Sequence, residues 1–179
     1  MVLGLIGKVG SGKSAVARYL GATYGALHLS SDDIAKEVMQ NGKYDLENIN
    51  AKNLFNDEKA QEYVRNVIHP DVINEIKNKI IENKNKYDLI VIESALPNRE
   101  LIGLCDKTIL IETDLKFKKE LLKEHRDYDE TKTDTISRAQ DYYEPIYETA
   151  NYKIKNDSTK EELLKKVNEV MNEIYIVRK

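Results

Sequence analysis

Five short apolar runs punctuate the chain, and helical patterns fill the intervals between them. The runs are VLGLI at Val2–Ile6, ALHL at 26–29, DLIVIE at 88–93, TILI at 108–111 and YKIK at Tyr152–Lys155. Val16, Tyr19 and Leu20 share one helical face after the first run. Val72, Ile76 and Ile80 recur at four-residue spacing before the third, and Leu163, Val167, Val170, Met171 and Ile174 form a stripe near the end. Strands alternating with helices predict crossover units and a parallel sheet. The stretch LIVIE has almost no polar alternation, as expected of a central strand covered on both faces. Two polar stretches stand apart: 41–66, weakly patterned and expected to be helical, and 124–144, with charges of both signs. Each is a candidate mobile element over a site, or else a solvated helix face.

Length adds that one domain is expected, since 179 residues can bury one sizeable core. Hydrophobic residues make up 41% and charged residues 33%, the balance of a globular protein with a very polar surface. The net charge of −3, from 28 Lys+Arg against 31 Asp+Glu, lacks the basic footprint of a duplex-binding protein, so no nucleic-acid partner is expected. No apolar run approaches the roughly 20 residues that span a bilayer, and the N-terminus shows no charged leader. With Cys105 alone there is no intrachain disulfide, and the cytosol is the expected compartment. Cys105 reads as a small buried apolar residue rather than a reactive thiol.

The chemistry begins directly after the first run. Gly7, Lys8, Val9, Gly10, Ser11, Gly12, Lys13 and Ser14 match Gly, four residues, Gly, Lys, Ser/Thr, between a predicted strand and a helix opening at Ser14-Ala15-Val16. Glycines let the backbone turn sharply and gather N–H groups around phosphates, and the helix N-terminus adds partial positive charge. Lys13 can reach the β- and γ-phosphates, and the Ser14 hydroxyl can ligate Mg²⁺. This is a nucleotide triphosphate site for ATP or a close relative, held with Mg²⁺.

Other candidates are placed by the sheet. Ligands sit outside the carboxyl ends of the strands in such folds. Glu93 ends LIVIE and can hold a water on Mg²⁺, or else cap the following turn. Asp32 and Asp33 follow the second run; either could favour a helix N-terminus, while Asp32 could orient an acceptor hydroxyl and take its proton. Arg126 and Arg138 lie in the second polar stretch, where guanidinium groups could close over transferring phosphoryl oxygens or form surface ion pairs. His28 and His69 lack the spacing of a metal site, and His69-Pro70 is expected to break two helices apart.

Taken together, the chain resembles the dephospho-CoA kinases, which phosphorylate the ribose 3′-hydroxyl of dephospho-CoA with ATP in the last step of coenzyme A biosynthesis. The likeness rests on GKVGSGKSAVA, SSDDIAKEV, LFNDEKAQEYVRNVIHPDVINEI, the strand KTILIET, EHRDYDE, Gln140 and ANYKIKNDSTKEELLKKV. The resemblance implies a P-loop, nucleoside-monophosphate-kinase-like three-layer α/β sandwich with a five-stranded parallel sheet of order 2-3-1-4-5. It implies a single domain over 1–179, with an acceptor-binding helical region at 41–82 and a lid at 124–144. Asp32 falls on the family's general base, Arg126 on a lid arginine, and Asn156 in the turn near the adenine; nucleotide contacts run through 7–15. The chain departs from the family at Lys8 for a loop glycine, Ser30 for the first aspartate, ALPNR at 95–99, Leu122 and Ile136 for arginines, with Arg138 the candidate substitute. A kinase of another nucleotide or nucleoside, or a nucleotide-binding regulatory protein without turnover, are the competing readings.

Overall fold

The computed structural model describes residues 1–41, 44, 57–126 and 129–176, with 124–126 in backbone only. Five parallel strands form one sheet in the order β2-β3-β1-β4-β5: β1 (Val2–Ile6), β2 (Leu27–Ser30), β3 (Ile90–Ser94), β4 (Lys107–Glu112) and β5 (Tyr152–Lys155). The apolar stretch of β3 is central, as its lack of alternation requires, pairing β1 on one side and β2 on the other. β2 and β3 each lie slightly later in the chain than their apolar runs, because Leu89 packs in the core just ahead of the ladder and Ser30 pairs with Glu93.

Helices cover both faces. Val16, Ala17 and Leu20 of α1 (Lys13–Tyr24) and Leu163, Val167 and Met171 of α9 (Lys160–Ile176) pack on Leu3, Leu5 and Val91. On the other face, α2 (Ser31–Asn41), α4 (His69–Asn83) and α5 (Arg99–Gly103) close over Ile90 and Ile92 through Ile34, Val72, Ile76 and Leu101. Ile76 and Ile92 are fully buried, so truncating either to Ala would cost about 2–5 kcal/mol. Cys105 sits where Gly4 of β1 leaves room: a Cβ on Gly4 would lie 2.8 Å from its Sγ. Burial pushes the thiol up to about 12, and it donates to the Leu101 carbonyl, so it is packing rather than chemistry.

His69-Pro70 does not break the chain into two separate helices. α3 (Glu58–Tyr63) runs through a widened π-type turn at Val64–Ile68 straight into α4. The His69 N–H reaches back to the Val64 carbonyl, five residues away, and Pro70, lacking an N–H, sits in the first turn of α4 where no donor is needed. Of the expected acceptor region, 42–43 and 45–56 lie outside the described residues; Tyr44 donates to Asp71 Oδ2 at 2.6 Å.

After β4, helices α6 (Leu115–Arg126) and α7 (Glu130–Gln140) lead through a short 3₁₀ turn at Asp141–Tyr143 into α8 (Glu144–Tyr147). Residues 127–128 of the predicted lid lie outside the described residues. Tyr143 and Tyr147 anchor this segment against Ile6 and Leu110 at the carboxyl ends of the strands.

Candidate active site

The loop between β1 and α1 has the shape a polyphosphate needs. Gly10 and Gly12 adopt φ of 80° and 97°, in the left-handed region that side chains disfavour. Space forbids side chains too. A Cβ on Gly10 would lie 2.7 Å from Leu122 Cγ, and one on Gly12 would lie 2.6 Å from Asn156 Nδ2. α1 starts with no side-chain cap and no acidic residue in its first turn. Its leading N–H groups are therefore left for an anion. Lys13 is almost fully buried, and its Nζ donates to the Lys8 carbonyl across the loop at 2.9 Å.

Side chains from distant segments hold this loop. Gln140, fully buried at the end of α7, accepts from the Val9 N–H at 3.0 Å and donates to the Ala95 carbonyl at 3.1 Å. Tyr147 donates to the same carbonyl at 2.7 Å. Asn156, just after β5, donates to the Ser11 carbonyl at 2.9 Å.

Beneath the loop, Ser14 Oγ donates to Glu93 Oε1 at 2.6 Å, and His28 Nε2 lies 2.9 Å from Glu93 Oε2. Burial pushes the Glu93 carboxyl up, but hydrogen bonds from His28 and Ser14 and the charge of Lys13 outweigh it. The group is held below the usual carboxylate value. Ser14 and Glu93 thus offer two hard oxygen donors, one charged, next to the loop. Among the described residues no three His, Cys, Asp or Glu side chains group into a cage of their own. Mg²⁺ suits such a site, because it is usually held by one or two protein oxygens together with substrate phosphates and water.

A cavity of about 480 Å³ runs along the loop. Phe117, Leu121, Leu163 and Asn156 line it along with Gly10, Lys13 and Ser14 of the loop, and so do Ser30, Asp32, Glu93 and Ala95 at the carboxyl ends of β2 and β3. A phosphate loop, a metal-competent pair and a carboxylate unpaired among the described residues, Asp32, therefore share one cavity, at the strand ends where the topology leads ligands.

A profile of the dephospho-CoA kinase family matches residues 1–53 and 48–162, most of the chain. The chain belongs to the dephospho-CoA kinase family. It is similar to the dephospho-CoA kinase of Fusobacterium nucleatum subsp. nucleatum, 28% identical over 189 residues (93% of this chain, 95% of that one). It is likewise 28% identical over 191 residues to that of Thermobifida fusca (96% and 95%). Solved structures share the fold. A Thermus thermophilus protein aligns with a TM-score of 0.72 at 21% identity, covering 97% of each chain. A shikimate kinase from Acinetobacter baumannii gives 0.65 at 18% (96% and 93%), and a dephospho-CoA kinase from Campylobacter jejuni gives 0.60 at 18% (99% and 98%). Membership of this family makes the chain an ATP-dependent kinase.

Within this kinase, the sequence-predicted residues are distributed unevenly. Lys13, Ser14, Asp32, Glu93 and Asn156 line the one cavity. Asp33 points away, paired with Lys36 at 2.7 Å and with its N–H bonded to Ser30 Oγ, so Ser30 caps α2. Asn156 grips the loop backbone rather than serving only as a wall near the adenine. Lys8 does not turn its side chain to the phosphate position. It pairs with Asp141 and Glu144, each at 2.6 Å, and lines a second cavity of about 470 Å³. Although burial works against the charge, these two carboxylates hold the Lys8 ammonium above its usual value. Arg138 also stands on the second cavity, not on the first. Arg126 ends α6, and its side chain lies outside the described residues. The part of the α6–α7 hairpin over the loop begins at Phe117, earlier than the polar stretch 124–144.

Sequence reasoning gave no site role to His28, which it weighed only as a metal ligand, or to Gln140, which it used only for the family likeness, and it missed the walls Phe117 and Leu121. For His28 a signal existed. It stands in β2, one strand from Glu93, but the register pairs it with Val91, and only the 2.9 Å contact reaching diagonally to Glu93 Oε2 shows that the two side chains meet.

Proposed function

We propose that the protein transfers the γ-phosphoryl group of ATP to the ribose 3′-hydroxyl of dephospho-CoA, as a cytosolic enzyme acting on small molecules. The observation that carries this reading, beyond family membership, is that one cavity joins Lys13 and Ser14 to the carboxylate of Asp32. The base of ATP occupies the end walled by Phe117, Leu121 and Leu163, and its phosphates follow the loop N–H groups to Lys13. Ser14 and Glu93 would hold Mg²⁺, which would supply charge neutralisation for the transferring phosphoryl group. His28 orients the Glu93 carboxylate from behind. Asp32 makes no hydrogen bond or ion pair among the described residues, so it is available to a substrate hydroxyl. There it holds the oxygen in line and accepts its proton late, as a loose transition state requires. Closure of the α6–α7 hairpin carries Arg126 and Arg138 toward the phosphates and excludes water that would waste ATP.

A kinase for another nucleoside or nucleotide is the second reading. It is favoured by Ser30, which caps α2 where the family carries an acid, and by the 95–99 turn, whose Ala95 carbonyl and Asn98 side chain are committed to Gln140, Tyr147 and the start of α5. Coupled ADP release against a panel of acceptors separates the two. Turnover with dephospho-CoA well above that with nucleosides, nucleotides or shikimate supports the first. Preference for another acceptor supports the second, and ADP release with none contradicts both.

A further inference from the structure

Lys118 is a cation in an unusual place. It lies on α6 one helical turn before Leu122, on the face that meets the phosphate loop, and only 2% of it is exposed. Its Nζ donates to the neutral hydroxyl of Ser137 at 2.8 Å, and it makes no ion pair among the described residues. The carboxylates nearby have other cation partners: Asp134 lies 3.1 Å from Lys119, though its buried Oδ1 accepts no hydrogen bond among the described residues, and Asp141 lies 2.6 Å from Lys8. Lys118 lines the second cavity together with Lys8, Arg138 and Ser137, not the first, and the charge of Lys13 at the loop also acts on it. In that cavity Thr113 Oγ1 is also buried and has no hydrogen-bond partner among the described residues.

Burying an ammonium without a counter-ion is costly, and crowding it against two other lysines adds to the cost. Burial, followed by the charges of Lys8 and Lys13, pushes Lys118 down to about 8, against the smaller opposing pull of Asp141 and Asp134. Among the described residues, the Ser137 hydroxyl and the pull of Asp134 and Asp141 offset this cost only in part. An anion placed beside the loop would offset the rest, because its charge would balance those of Lys13 and Lys118 together and counter their mutual repulsion.

We propose that Lys118 is a catalytic residue that leaves Ser137 to contact the terminal phosphate of the bound nucleoside triphosphate, opposite Lys13. The proposal rests on the nucleotide-binding reading of the loop. Its four-carbon stem gives Lys118 the reach to change partner without a change of helix. The proposal gives a role to a buried lysine at a site where an apolar residue would pack more readily, and it makes α6 a reporter of whether the γ-phosphate is present.

The test is calorimetric titration of the full chain with Mg²⁺ and either ADP or a non-hydrolysable ATP analogue. It is run at pH 8 in two buffers of different ionisation enthalpy, so that protons exchanged on binding are counted. The wild type should take up protons with the analogue and far fewer with ADP. Lys118→Met should lose that uptake and bind the analogue about ten-fold or more weakly, with ADP affected less. Lys118→Arg, which keeps a charge that does not titrate, should lose the uptake yet retain the preference for the triphosphate. Without nucleotide, Lys118→Met should melt no lower than the wild type. An unchanged analogue-to-ADP ratio in Lys118→Met, or a lower melting temperature with that ratio intact, would overturn the proposal and make Lys118 structural. Should Lys118→Met not fold, equal proton uptake in the wild type and Lys118→Arg overturns it. A wild type that binds neither nucleotide overturns the nucleotide reading itself, which is a distinct result.

Discussion

Gln140→Leu removes both hydrogen bonds of the side chain that ties the phosphate loop to the rest of the fold, at nearly constant volume. Its two partners are not equivalent. The Ala95 carbonyl keeps Tyr147, whose hydroxyl donates to it at 2.7 Å, so it loses one of two donors. The Val9 N–H loses the acceptor shown for it, in a part-buried position. Leaving a buried donor bare costs about 1–3 kcal/mol, whereas losing one of two donors to a carbonyl costs about 0.5–1.5 kcal/mol. The two together predict a loss of roughly 2–4 kcal/mol of unfolding free energy, measured by urea titration. Because Val9 opens the run of N–H groups around the phosphates, the KM for ATP should rise by about ten-fold or more. Tyr147→Phe alone leaves Gln140 on Ala95 and should cost only about 1 kcal/mol. The double variant strips the Ala95 carbonyl of both donors, so its loss should exceed the sum of the single losses. A Gln140→Leu enzyme with wild-type stability and wild-type KM would refute the claim that this side chain sets the loop, and strict additivity with Tyr147→Phe would refute the shared-carbonyl account.

Lys13→Ala should cost on the order of 3 kcal/mol or more of transition-state stabilisation, read as kcat/KM; near wild-type turnover would overturn the site. Asp32→Asn should leave ATP affinity nearly intact and depress turnover by roughly 10²-fold or more, while Asp33→Asn, already paired with Lys36, should be mild; the reverse pattern moves the acceptor elsewhere. Glu93 is held below its ordinary carboxyl value of 4.5 in the folded state, so its contribution to stability is present above pH 4.5 and fades as pH falls through the lowered value. Thermal melts should therefore show the acid loss blunted in Glu93→Gln, and an identical acid limb would contradict the pairing with His28 and Ser14. Lys118 has a slope with pH of the same sign, but its charged form is the destabilised one. It is pushed down to about 8 from 10.5, so between those values the unfolded chain binds the extra proton and wild-type stability rises with pH. Lys118→Met should gain about 3 kcal/mol near pH 7, a gain that disappears by pH 10.5 and that urea titration at two pH values would detect.

The parts of this kinase legible in the sequence are those whose signal is local. The phosphate loop needs a fixed spacing of Gly, Lys and Ser between a strand and a helix, and all of it lies within 7–14. The strands were readable because buried parallel strands are short and nearly all apolar. The strand order was not readable from periodicity and came from family resemblance, since pattern says which face is buried but not which edge meets which. The contacts that build the site were the least legible. Gln140 reaches a loop 131 residues earlier, and His28 meets Glu93 across 65 residues. Lys118 in KFKKEL reads as one more lysine on a solvated helix until α7 is packed over it. Lys8 shows the converse failure, because a lysine in a phosphate loop reads as a phosphate ligand until Asp141 and Glu144 arrive from the far end of the chain. His69-Pro70 read as a break because proline usually ends a helix, yet Pro70 falls in the first turn of α4, where its missing N–H is not needed, and the π-type turn ahead of it carries the chain through.

The most direct measurement follows the phosphoryl group itself. The purified protein is incubated with Mg²⁺, dephospho-CoA and ATP labelled in its γ-phosphate, and the products are separated and their phosphate positions read by ³¹P NMR. The account predicts label on the ribose 3′-oxygen of coenzyme A, one for each ADP formed, and none of either product in Asp32→Asn beyond a small residue. Label released as inorganic phosphate, or carried on an acceptor other than dephospho-CoA, would contradict it.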